Sequence, residues 1–130
     1  MPTAPEQSDV NLLQGFPVLV VEDAWHVAKA LKSTLEQLGM RVVGPTATTA
    51  EARNLVAAQR PKLAIVDVNL KQELTCGLID ELHKQGVSVI VVSGYAAPPV
   101  SKESVAAFLH KPFSGTELIA TLGAVVRSNH

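Results

Sequence analysis

The chain has 130 residues, of which 47% are hydrophobic and 18% are charged, and its formal net charge is −1. This length and composition predict one folded domain and exclude a disordered chain. The small net charge argues against a surface for nucleic acid or anionic membranes, and no apolar run approaches the ~18 residues of a membrane span.

Cysteine usage and the N-terminus bear on location. Cys76 is the only cysteine, which excludes an intrachain disulfide and favours a reducing compartment. The first 14 residues lack the basic start and apolar block of a signal peptide. We therefore expect a cytoplasmic protein in which residues 1–15 form a flexible tail, with Leu12 and Leu13 resting on a domain that spans residues 16–130.

Continuous apolar runs recur along the chain and are typical of strands buried on both faces. They predict five strands, over residues 16–21, 40–43, 63–66, 87–92 and 107–110. Residues with helical spacing separate the runs. The predicted helices carry end signals, which are Asp23 as an N-cap, Gly39 and Gly86 as stops, and capping boxes at Thr48/Glu51 and Ser114/Glu117. Only a weak fourth helix fits between Pro99 and Ala106.

This alternation of strands and helices predicts a doubly wound α/β fold with a parallel sheet. In such folds ligands meet the sheet at the carboxyl ends of its strands. The residues at those ends are Glu22, Asp23, Asp67, Ser93 and Lys111.

Asp67 follows the four apolar residues of the run 63–66, where an ionised carboxylate is costly unless a cation or hydrogen bonds meet it. Taken alone, it could cap the next segment or be reactive. With the other strand ends beside it, clustered carboxylates indicate a site for Mg²⁺. Lys111 and Ser93 add an ammonium and a hydroxyl, and this set of groups suits a phosphoryl group that Asp67 could accept as an acyl phosphate.

In order along the chain, the acidic pair, Asp67, Ser93-Gly94 and Lys111-Pro112-Phe113 resemble the receiver domain of bacterial response regulators, over roughly residues 17–126. The resemblance implies a flavodoxin-like sheet with strand order 2-1-3-4-5 and about five helices. It also implies a switch in a two-component system or phosphorelay that acts through protein–protein contacts and is not an enzyme in the usual sense.

The same resemblance assigns roles to individual residues. Asp67 would accept the phosphoryl group from a histidine kinase or phosphotransfer protein. Mg²⁺ would be bound directly by Asp23, Asp67 and the backbone carbonyl of Asn69, and through water by Glu22. Ser93 and Lys111 would contact the phosphoryl oxygens, and Gly94 would leave room for the incoming phosphorus.

Phe108 matches the family's switch aromatic, which turns inward as Ser93 moves. The chain is also similar to stand-alone receivers of the Phe-Ala-Thr-Gly-Tyr type, which are associated with kinases of the HWE or HisKA2 kind. It departs from that pattern, since residues 91–93 read Val-Val-Ser. Because that subfamily often lacks the switch aromatic, the alternative for Phe108 is plain core packing.

The sequence also bears on other functions that this fold could have. An aspartate-nucleophile phosphatase needs an acid two residues after the nucleophile, and Asn69 cannot protonate a leaving group. A nucleotide or flavin module needs a glycine-rich phosphate loop after the first strand, where this chain has Glu22-Asp23. A receiver excised from a hybrid histidine kinase stays open, although the Met1 start and polar tail argue against it.

Overall fold

The computed structural model describes residues 11–70, 73–94 and 100–128. Within these ranges the strands are β1 (Pro17–Val21), β2 (Arg41–Thr46), β3 (Leu63–Asp67), β4 (Asn69–Leu70), β5 (Glu73–Leu74), β6 (Ser88–Ser93) and β7 (Ala107–His110). The helices are α1 (Trp25–Gln37), α2 (Thr49–Gln59), α3 (Cys76–Lys84), a single 3₁₀ turn (Lys102–Ser104) and α4 (Gly115–Ser128).

Five strands form one parallel sheet in the order β2-β1-β3-β6-β7, and β4 and β5 form a separate antiparallel hairpin. Counting only the five strands of the large sheet, the order is 2-1-3-4-5. The predicted fold class, strand number and strand order are therefore confirmed.

Both faces of the sheet are covered, which explains why the strand sequences do not alternate with polar residues. Neighbouring strand residues point to opposite faces, so Val18 and Val20 enter one core cluster while Leu19 and Val21 enter the other. Helices α1 and α4 supply the first cluster, and α2 and α3 supply the second. None of the helices among the described residues is long and apolar enough to cross a bilayer.

The capping box predicted at Ser114/Glu117 is confirmed, whereas the one at Thr48/Glu51 forms only in half, because the Thr48 N–H donates to Thr46 Oγ1 at 3.4 Å. The predicted cap of α1 is wrong. The Thr48 hydroxyl accepts the Glu51 N–H at 3.2 Å, and Ser114 and Glu117 cap each other reciprocally at 3.0 and 3.2 Å. For α1 the N-cap residue is Ala24, not Asp23. The reason is that the Glu22 carboxylate accepts the Ala24 N–H at 3.2 Å, which leaves Asp23 outside the helix.

Strand β2 is predicted to end before Gly44-Pro45, but it continues through this pair to Thr46. Proline cannot donate a ladder hydrogen bond, but β2 is an edge strand, where that loss is tolerated. Gly44 has a φ of +93°, and a Cβ there would lie 3.0 Å from the backbone N of Thr46. Asn69, two residues after β3, is the first residue of β4.

Residues 11–15, which are predicted to belong to the tail, contact the domain that follows them. Residues 11–13 are helical, Leu13 is fully buried in the core, and Gly15 N–H donates to the Gly39 carbonyl at 2.7 Å. The expected contact of Leu12 and Leu13 with the domain is confirmed. Residues 1–10, for which a flexible tail is predicted, lie outside the described residues.

The described part of the segment between β6 and β7 contains the 3₁₀ turn Lys102–Ser104 and no α-helix. The predicted weakness of the fourth helix is confirmed for residues 100–106. Tyr95 and residues 96–99, which belong to the same predicted segment, lie outside the described residues.

Candidate functional site

The predicted site residues meet at the carboxyl edge of the large sheet. Glu22 directly follows β1, Asp67 ends β3, Ser93 ends β6 and Lys111 directly follows β7. The register pairs Asp67 with Val92 and Ser93 with His110, so the four strand ends stop at the same level. Residues separated by up to 89 positions in sequence are thereby brought together because parallel strands end at one edge.

Three carboxylates form the centre of the site. Glu22, Asp23 and Asp67 each offer one oxygen, and these oxygens lie within 4.8 Å of one another. Glu22 is 4% exposed and Asp67 is 6% exposed, while Asp23 is partly exposed. Negative charges that are this close and largely shielded from water repel each other strongly unless a cation compensates them.

Lys111 supplies one compensating charge. Its Nζ lies 2.8 Å from Asp67 Oδ2 and 3.0 Å from Glu22 Oε1. Burial alone would lower the pKa of Lys111, but its hydrogen bonds to the two carboxylates outweigh that effect and the pKa is raised. The backbone N–H of Lys111 donates to the Ser93 carbonyl at 2.8 Å, which fixes the lysine to the end of β6.

The ion pair with Lys111 does not fully offset the cost of burying the Glu22 carboxylate. Burial raises the pKa of Glu22, and the neighbouring Asp67 raises it further, against the opposing effect of Lys111. Glu22 Oε1 is buried, and among the described residues its polar contact is the ion pair with Lys111 Nζ at 3.0 Å. A cluster of three carboxylates whose oxygens still have room for a ligand fits a hard divalent cation such as Mg²⁺, which prefers oxygen ligands.

Asp67 is not a helix cap, so that alternative is wrong. The N-cap of the following helix α3 is Thr75, eight residues later. The Asp67 carboxylate instead faces Lys111 within the acidic cluster. Ser93 is also buried, with 3% of its surface exposed.

The remaining predicted residues lie around this centre. Gly94 is exposed, and a Cβ added there would meet no heavy atom within 4 Å among the described residues. Phe108 on β7 is 43% exposed, so its alternative assignment to the core is wrong. Asn69 begins β4, two residues after Asp67 in sequence.

Sequence reasoning missed Thr75, which is fully buried. Its hydroxyl does not cap α3 but lies 2.8 Å from the carbonyl oxygen of Asp67 and 3.0 Å from that of Val68. The hydroxyl therefore donates to the backbone that carries the candidate acceptor. A threonine before an apolar helix signals a cap in sequence, so nothing local pointed to this other use.

Comparison with known proteins agrees with this geometry. The family model for the response regulator receiver domain matches residues 18–123. The C4-dicarboxylate transport transcriptional regulatory protein DctD of Pseudomonas aeruginosa is 30% identical over 111 residues, which are 78% of this chain and 23% of that protein. The chain thus spans less than a quarter of the length of this relative.

Solved structures share the fold. The response regulator PhyR from Brucella abortus has a TM-score of 0.80 at 20% identity, covering 94% of this chain and 52% of that one. The receiver domain of a sensor histidine kinase from Pseudomonas aeruginosa PAO1, with magnesium coordinated in its active-site cleft, has a TM-score of 0.76 at 22% identity, covering 87% and 98%.

The family match covers most of the sheet and all of the strand ends that build the site. Receiver domains are signalling domains of two-component systems, not enzymes in the usual sense. This chain belongs to the response regulator receiver domain family.

Proposed function

We propose that the chain is a phosphorylatable switch in which Asp67 accepts a phosphoryl group. The observation that carries the proposal is the pairing of a buried Asp67 carboxylate with Lys111 Nζ at 2.8 Å inside a cluster of three carboxylates. An acid that only stabilised the fold would not need two further acids beside it, because each raises the cost of burying the others.

In the proposed reaction an Asp67 oxygen forms a bond to phosphorus while the N–P bond of a phosphohistidine on the donor breaks. The electron pair of that bond stays with the histidine nitrogen. Lys111 then faces phosphoryl oxygens in place of a bare carboxylate, and its fixed ammonium stabilises their charge. The Ser93 hydroxyl at the end of β6 serves as a second contact.

Mg²⁺ fits the acidic cluster, and we propose Asp23, Asp67 and the Asn69 backbone carbonyl as direct ligands, with Glu22 acting through water. The metal supplies charge neutralisation for the transferring phosphoryl group. The residues of this chain orient it: Lys111 keeps Asp67 and Glu22 together, and burial keeps bulk water from the two carboxylates.

We propose a sensor histidine kinase or a phosphotransfer protein, of the HWE or HisKA2 kind, as the donor. A largely apolar groove of about 590 Å³ runs between α1 and α4 and reaches Lys111. Its walls include Val27, Leu31, Phe113 and Leu118. A donor helix in this groove would bring its phosphohistidine to the edge of the site.

We propose that output passes through protein–protein contacts at the β7 edge. Phe108 is exposed there, and an inward turn on phosphorylation would change that surface. In the sheet register Ser93 pairs with His110, which lies two residues after Phe108 on β7. A movement of Ser93 could therefore be passed along β7 to the Phe108 side chain.

The test is phosphorylation by a small phosphodonor with Mg²⁺, followed by intact-mass measurement. We expect a mass increase of one phosphoryl group that is stable in acid and lost in base. Asp67→Asn should abolish it. Asp80→Asn, which removes an exposed acid from α3 outside the site, should leave it unchanged. Modification that survived Asp67→Asn would overturn the proposal.

A further inference from the structure

The hairpin that directly follows Asp67 is tied to a helix that does not belong to the site. In this hairpin β4 and β5 pair antiparallel, with Asn69 opposite Leu74 and Leu70 opposite Glu73. Two strands of two residues each have little stability of their own. The hairpin therefore depends on contacts with the rest of the domain.

One arm of the hairpin is anchored in the core. Val68 is 1% exposed and Leu70 is 2% exposed, and both belong to the core cluster under α2 and α3. The Val68 N–H donates to the Val92 carbonyl at 3.0 Å. Asn69 lies between these two anchored residues, so only small shifts of its backbone are open to it.

The other arm is anchored by Glu73. The backbone N–H of Thr49, the first residue of α2, donates to Glu73 Oε1 at 2.7 Å, and the Thr49 hydroxyl donates to Oε2 at 2.9 Å. Both carboxylate oxygens are used, and the acid sits at a helix N-terminus, where negative charge is favourable. These hydrogen bonds lower the pKa of Glu73.

Thr75 closes the same arm against the site. Its hydroxyl contacts the Asp67 and Val68 carbonyls, and its N–H donates to the Val68 carbonyl at 3.2 Å. Residues 73–75 therefore connect the start of α2 to the backbone of Asp67 and Val68.

We infer that Glu73 is a positioning residue for the metal site: by binding the N-terminus of α2, it holds the hairpin so that the Asn69 carbonyl stays at the edge of the acidic cluster. This inference rests on the proposed function. The Glu73 carboxylate bonds to Thr49 and not to a carboxylate of the cluster, so it would act on the metal site through the hairpin backbone.

The test compares Glu73→Ala with Glu81→Ala in the full chain. Glu81 on α3 is a matched control because it forms an exposed ion pair with Arg53 of α2 at 2.8 Å and, among the described residues, no hydrogen bond to the hairpin. Both variants remove one negative charge. Mg²⁺ affinity is measured by calorimetry and by the fluorescence of Trp25, the only tryptophan, which lies two residues after Asp23.

We expect Glu73→Ala to raise the Mg²⁺ dissociation constant by about 3- to 10-fold, below the 10- to 100-fold typical for residues that touch a ligand directly. Glu81→Ala should leave it unchanged. Glu73→Gln, which keeps one acceptor for the Thr49 N–H, should fall between wild type and Glu73→Ala. Amide resonances of Asn69 and Leu70 should shift in Glu73→Ala and not in Glu81→Ala.

A role in stability alone would lower the free energy of unfolding of Glu73→Ala without changing its Mg²⁺ dissociation constant, and that result would overturn the inference. If Glu73→Ala does not fold, Thr49→Val provides the test. It removes the hydroxyl that donates to Glu73 Oε2 and should likewise raise the Mg²⁺ dissociation constant. A wild-type chain that bound no Mg²⁺ would overturn the proposed function itself, which is a distinguishable result.

Discussion

Lys111 offers the sharpest test of the site's electrostatics, because its ammonium pairs with two buried carboxylates. At about 3 Å and an effective dielectric constant of 20, each pair has a Coulomb energy of about 5 kcal/mol. Lys111 regains hydration when the pairs are broken, and removing one partner of a buried pair typically costs about 3–5 kcal/mol. The Lys111 side chain is 31% exposed, and Glu22 can take up a proton. We therefore expect Lys111→Met to lower the free energy of unfolding by about 2–3 kcal/mol at neutral pH without divalent cations.

The assay is urea unfolding in EDTA and again in excess MgCl₂. Mg²⁺ should stabilise Lys111→Met more than it stabilises wild type, because the metal replaces the lost positive charge. Lys32→Met, which removes an exposed lysine from α1, should change neither value. The reasoning is refuted if Lys111→Met unfolds at the same urea concentration as wild type in EDTA.

Three further predictions concern other parts of the domain. Leu13→Ala should cost about 2–5 kcal/mol of unfolding free energy by thermal or urea denaturation, because Leu13 is fully buried; a negligible loss would show that the segment before β1 is not part of the core. The lowered pKa of Glu73 means that its stabilising effect is present above the ordinary glutamate pKa of about 4.3 and is lost as pH falls through the lower folded value. The stability difference between wild type and Glu73→Gln should thus shrink on acidification, and a constant difference would contradict this. Amides of Ser104 and Val105, held only by single-turn hydrogen bonds of 3.1 and 3.3 Å, should exchange with solvent faster than those in the middle of α4; equal protection in hydrogen exchange would contradict it.

The residues of the site could be predicted from sequence because the fold places them by a simple rule. Buried apolar runs identify the strands, parallel pairing brings their carboxyl ends together, and polar residues at those ends must then be neighbours. This rule was enough to place Glu22, Asp67, Ser93 and Lys111. It needed no knowledge of side-chain contacts.

The details that the sequence did not predict depend on side-chain contacts that no local pattern reveals. The N-cap of α1 moved to Ala24 because the Glu22 carboxylate bends back onto its N–H. Glu73 meets Thr49 across 24 positions, and neither residue carries a local pattern that predicts the pair. The burial of Leu13 likewise depends on where α1 and α4 leave space in the core.

The charges of the site imply two competing roles for Lys111. Among the described residues, Lys111 pairs with two of the three carboxylates, and a divalent cation would add the positive charge that this acidic cluster favours. Burial raises the pKa of Glu22 and the neighbouring Asp67 raises it further, because a proton relieves both the lost hydration and the repulsion between the two acids. In the cation-free protein Lys111 is needed to hold the carboxylates together. In the proposed reaction it must instead face the phosphoryl oxygens, and that exchange is least costly when a cation has already taken over the carboxylates. In the proposed mechanism the stability of the cation-free domain and the phosphorylation of Asp67 therefore depend on the same ammonium, and a divalent cation bound at the carboxylates would free Lys111 to contact the phosphoryl oxygens.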